Sequence, residues 1–173
     1  MEDDDGKYPK ERNFILQQGL VAPPDEICPA RFSALMFQPR IVGTAVLLAV
    51  IFQSPMIFIA LSIVLYWNVS FPRWNPFDAF YNLAFGDRPG AVLLSSAPPP
   101  RRFAQGMAGT FMLAIGLSML YGWNSAAFFL QLSLLAALGA LVFGKFCLGS
   151  FLYHLLRGDA DFAIRTLPWE RGT

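Results

Sequence analysis

The chain has 173 residues, of which 55% are hydrophobic and only 14% charged, with 17 phenylalanines and a net charge of +1. Globular domains carry roughly 25% charged residues, so the composition argues against a water-soluble fold, and near-neutrality gives no sign of a nucleic-acid partner. Two cysteines and a single histidine exclude a disulfide framework and a His-rich metal cluster.

Residues 1–30 read as a polar N-terminal arm, largely irregular, opened by Glu2-Asp3-Asp4-Asp5 and carrying APPDE at 22–26. That acidic opening is unlike the basic start of a secretory signal. The first apolar segment enters at Arg31-Phe32 and contains IVGTAVLLAVIF (41–52); after Gln53-Ser54-Pro55 a second resumes with MIFIALSIVLYW (56–67). Neither core run alone reaches the roughly 20 residues that cross a bilayer. The first must therefore borrow residues before Ile41, and the second must continue towards Phe71. Residues 88–101 form a Pro-rich linker. Beyond it, Phe103 to Trp123 and Ala126 to Gly144 carry no charge, and each spans about 30 Å as a helix. The connections within each pair are so short that the partners must be antiparallel neighbours.

The later segments repeat the earlier ones. Arg31-Phe32 corresponds to Arg102-Phe103, Ser54 to Ser125, and Gly86-Asp87 to Gly158-Asp159. Two apolar segments always share leucines, but shared entry, turn and exit residues argue for duplication. The expected fold is an all-α membrane protein with four transmembrane helices, arranged as two helical hairpins in parallel repeat (31–87 and 102–159). Short interfacial helices follow spans two and four, at 75–87 and 147–159, and a tail occupies 160–173.

Lysine and arginine occur before or at the entry of span one, between spans two and three, and after span four, never in the two short turns. The positive-inside rule then places both termini in the cytoplasm of a bacterial inner membrane.

The candidate site residues are of four kinds. Arg31 and Arg102 suit lipid phosphates, and Arg40 suits a headgroup, a partner's carboxylate or Asp78, because a charge this close to the apolar core calls for a partner. Ala136, Ala140 and Gly144, with Ala104 and Ala108, lie at helical spacings that let helices approach closely; contact within the bundle is favoured over an oligomer seam. Gln105, Gln131 and Asn68 suit interhelical hydrogen bonds. Cys147 is a candidate thiol in a reducing compartment. His154 is a candidate ligand for a haem or chlorophyll metal, although solvation at the interface explains it as well. No catalytic group and no other metal site stand out, and the cofactor is left open.

RFAQG after the Pro-rich linker, SFPRWNPFDAFYNLAF and FGKFCLGSFLY resemble a family of small bacterial integral membrane proteins known only as a domain of unknown function. The resemblance implies a four-helix membrane fold and no activity. It also implies a Cys-x-Gly-Cys near the last span; here Cys147-Leu148-Gly149-Ser150 keeps only the first thiol. The expected function is therefore a non-catalytic accessory or scaffolding subunit of a larger membrane assembly, such as a respiratory or photosynthetic complex, with lipids and other subunits as partners. The alternatives are an oligomeric transporter or channel, lined by Arg40 and the span glutamines, and a thiol-dependent membrane oxidoreductase using Cys147.

Overall fold

The structure is a computed structural model that describes residues 7–87 and 91–170. The acidic run Glu2–Asp5, Arg88 and Arg171 lie outside the described residues. Within them the fold is all-α, in the order α1 (Pro9–Gln17), α2 (Cys28–Leu35), α3 (Phe37–Ile51), α4 (Pro55–Ser70), α5 (Pro76–Phe85), α6 (Pro99–Leu120), α7 (Asn124–Val142), α8 (Leu148–Leu156) and α9 (Ala160–Arg165).

Proline starts helices here as much as it stops them. Pro9, Pro55, Pro76 and Pro99 each open a helix, where the missing N–H costs nothing and the fixed φ is already helical. The linker's proline run thus becomes the first turn of α6, and Arg101 is a helical residue. Pro39 acts inside a helix instead. It cannot donate to the carbonyl of Leu35, and the helical run from Cys28 to Ile51 breaks between α2 and α3 at Met36. Taken together these two helices form a 24-residue run, and with α6 (22 residues) and α7 (19 residues) they are the three long and apolar enough to cross a membrane. The fourth apolar helix, α4, has 16 residues.

Helices α3, α4, α6 and α7 pack in a ring, each against the next, with α7 closing back on α3. Val42, Val46, Phe58, Leu65, Met112, Ile115 and Leu134 fill its centre. The tightest seam joins α4 to α6. A Cβ added to Gly116 would lie 2.7 Å from Ile59 Cγ1 and 3.1 Å from the Pro55 carbonyl oxygen, and one on Gly109 would lie 3.4 Å from Leu65 Cβ. Positions advancing on α6 meet positions receding on α4, so the two run antiparallel. The Tyr66 and Thr110 hydroxyls meet at 2.8 Å across this seam.

A second, smaller core sits at one end of the ring, where Phe14, Ile15, Cys28, Leu35, Met36 and Cys147 pack together. This overturns the expectation of an irregular arm. Residues 9–17 are helical, Phe14 and Ile15 are buried, and Phe14 sets its ring edge-on to Phe32 at 5.3 Å. An amphipathic helix of about two and a half turns hides well in a polar stretch, because only tertiary packing stabilises so short a helix. The Gln17 side chain accepts from the Cys147 backbone N–H at 2.9 Å, Asn13 donates to the carbonyls of Leu167 and Glu170, and Glu11 pairs with Lys145. Lys145 is held at φ 54°, a left-handed conformation unfavourable for a side chain.

Candidate functional site

Five polar side chains converge where α3, α5 and α6 meet. Pro76 opens α5 with Asn75 as its cap, the Asn75 side-chain oxygen accepting from the Phe77 N–H at 3.0 Å. The same turn presents Asp78. Arg101 and Gln105, one helical turn apart, come from the first turns of α6, and Gln38 from the first turn of α3. Arg101 Nη2 donates to Asp78 Oδ1 at 2.9 Å and to Gln38 Oε1 at 3.1 Å. Asn75 Nδ2 donates to Asp78 Oδ2 at 2.9 Å, and Gln105 Nε2 donates to Gln38 Oε1 at 3.0 Å. All five are buried, from 2% exposure for Asn75 to 8% for Gln105.

The electrostatic logic is neutralisation. A lone buried guanidinium or carboxylate costs several kcal/mol, and the pair holds only where hydrogen bonds satisfy the remaining lone pairs. Here both Asp78 oxygens are used, and Gln38 Oε1 collects donors from three directions, Asn75 included at 3.3 Å. The Oε1 of Gln105 has no partner.

Beside this cluster lies a cavity of about 350 Å³. Leu35, Val42, Leu65, Met112 and Leu138 form apolar walls; Gln18, Arg101, Gln105 and Cys147 bring polar groups to it. The Nε2 of Gln18, a residue 4% exposed, also has no partner.

The remaining candidates distribute as follows. Arg102 donates from Nε and Nη2 to the Val69 carbonyl, at 3.2 and 2.8 Å, and so caps the C-terminal end of α4. Arg40 is exposed, and Asp78, one of the three partners considered for it, belongs to Arg101 instead. Arg31 is half-buried in α2. Ala104 packs on α8: a Cβ on Gly149 would fall 2.7 Å from the Ala104 Cβ. Ala108 packs on the ring core. Ala136 and Gly144 are exposed and Ala140 is half-buried, so the expectation of contact within the bundle is corrected for that stripe. Gly109, Gly116 and Gly149 bring helices together as well.

His154 is 9% exposed, with Nε2 3.1 Å from the Gln17 carbonyl oxygen and its ring 4.7 Å from that of Phe162. It fastens α8 to the arm and to α9, which corrects the picture of a solvated interfacial histidine. Cys28 and Cys147 are free thiols buried in the same small core. Gln105 bonds to Gln38 on α3, and Gln131 donates from Nε2 to the Met119 sulfur on α6 at 3.4 Å while its Oε1 accepts from Gln53 Nε2 in the α3–α4 turn at 3.3 Å. Asn68 is fully buried with neither side-chain polar atom partnered. Arg101, Asn75 and Gln38 were not singled out from the sequence; the available signal was the spacing of Arg101 and Gln105, four apart on one helical face.

The family described as a domain of unknown function, DUF4395, matches residues 31–157, which include the whole polar cluster and most of the cavity lining. No curated protein and no solved structure matches the chain.

Proposed function

The chain belongs to the DUF4395 family, a domain of unknown function, and on that footing we propose that it is a non-catalytic accessory subunit that crosses the membrane four times and docks another subunit's transmembrane helix on α7. The docking reading rests on α7 itself. It is the most apolar of the long helices, and only 17% of its apolar window is buried within the chain. On its uncovered side the small Ala136, Ala140 and Gly144 lie among the exposed Phe128, Phe129, Leu132 and Phe143. Small residues flanked by large ones let a second helix approach closely in lipid, where packing rather than water drives association.

The cap supports the reading of four crossings. The arm binds α8 and the C-terminal tail through Gln17, Asn13 and Glu11, so both ends of the chain lie at one end of the ring. An even number of traverses accords with this, and in the proposed arrangement α4 supplies the fourth. The proposed arrangement has two α-hairpins, each followed by a short amphipathic helix (α5, α8), as the duplication expected from the sequence requires. The cations Lys7, Lys10, Arg12, Arg31, Arg73, Arg102, Lys145, Arg157 and Arg165 fall on the capped end in this arrangement. The positive-inside rule makes that end cytoplasmic.

The test is site-specific photo-crosslinking in native membranes from position 140. The expected product is a discrete adduct to an apolar helix of a different polypeptide, abolished by Ala136→Trp while the protein stays folded. Adducts to lipid alone, or to a second copy of this chain, would rule out an accessory role for this face.

A further inference from the structure

We infer that the cavity beside the Arg101–Asp78 pair is a binding site for an uncharged, lipid-soluble alcohol or phenol, its hydroxyl seated between Gln105 and Gln18. The site is built rather than incidental. Gln105 spends its Nε2 on Gln38 and leaves Oε1, an acceptor, without a partner; Gln18 leaves Nε2, a donor, without one. Both residues are more than nine-tenths buried and both line the cavity. A hydroxyl group is the smallest function that meets both needs, donating to one amide and accepting from the other.

Charge narrows the class. Arg101 reaches the cavity, but Asp78 already neutralises it at 2.9 Å. A carboxylate or phosphate would therefore enter a site with no free positive charge, while an uncharged head loses nothing. The apolar walls fit the rest: about 350 Å³ lies within the roughly 300–1,000 Å³ of small-molecule sites, and Leu65, Phe111, Met112, Leu134 and Leu138 offer a hydrocarbon body nothing polar. Those residues belong to the ring helices α4, α6 and α7. The inference does not depend on the docking role of α7.

The experiment uses the full chain in lipid nanodiscs and three photoreactive probes of equal chain length. Each carries a mid-chain diazirine and ends in a hydroxyl, a carboxylate or a methyl group. Adducts are mapped by mass spectrometry. The alcohol is expected to label cavity-lining peptides of α6 and α7 about tenfold more than the methyl-ended probe, the discrimination that one unmet hydrogen-bonding head provides. Ala137→Phe, which fills the cavity, should abolish that labelling, and Gln105→Leu or Gln18→Leu should bring the alcohol down to the methyl-ended level. Gln18→Leu removes an amide nitrogen with no partner to lose, so it carries the test even if Gln105→Leu fails to fold. Equal labelling by the alcohol and the methyl-ended probe, preference for the carboxylate, or labelling untouched by Ala137→Phe would each overturn the assignment.

Discussion

Asp78 and Arg101 are the residues whose individual loss the protein should feel most. Removing either leaves an opposite charge buried without compensation, which costs about 3–5 kcal/mol. Arg101→Met and Asp78→Leu should each lower the unfolding midpoint in detergent sharply, and the double variant should cost far less than the two combined. Strict additivity would mean that the two charges are not coupled. The pair was only half legible beforehand: Asp78 was one of three partners considered for Arg40, and Arg101 was not singled out. The reason is local. Arg101 follows three prolines, and the run reads as linker until Pro99 is seen to open a helix, which carries the Arg101 side chain inward with Gln105. His154 misled for a similar cause, since its burial depends on an arm whose helix no periodicity announces.

At the scale of elements, the α4–α6 seam makes two glycines unequal to a third. Gly116→Ala drives a methyl group into Ile59 and the Pro55 carbonyl, and should destabilise by about 1–3 kcal/mol. Gly43, on α3, has nothing within 4 Å of a would-be Cβ, so Gly43→Ala should instead raise stability by about 0.5–1 kcal/mol through helix propensity. Thermal unfolding in the same detergent decides; equal shifts for both variants would contradict the packing described. The long helices themselves were readable because uninterrupted apolar length is a strong signal. Which small residues form seams was not, because spacing marks a face without saying what covers it. Ala136 and Gly144 share a face that the chain leaves bare, whereas Gly109 and Gly116 lie under α4.

At the scale of the whole molecule, the cap ties the two described ends of the chain together, and the proposed topology then requires both on one side of the membrane. In a Cys28→Ser/Cys147→Ser background, single cysteines at Pro24 and Trp169, both exposed, should react with an impermeant maleimide from the same side of sealed vesicles, and one at Trp123 from the other. Labelling of positions 24 and 169 from opposite sides would leave three crossings and undo the four-span reading. Charge placement predicts the same sidedness, whereas the contacts that tie the described ends together, Gln17 with Cys147 and Asn13 with Leu167, could not be read from residues so distant in the chain.

One further consequence belongs to the brevity of α4. Its 16 residues rise about 24 Å, several ångströms short of a hydrocarbon layer about 30 Å thick, whereas α6 beside it exceeds that depth. In the proposed four-span arrangement, lipid along that flank thins locally, with Trp67 and Trp74 near its rim. Such mismatch is a graded sorting force: the protein should unfold at a higher temperature in short-chain than in long-chain lipid, and insensitivity to acyl length would show that the flank is covered by protein instead.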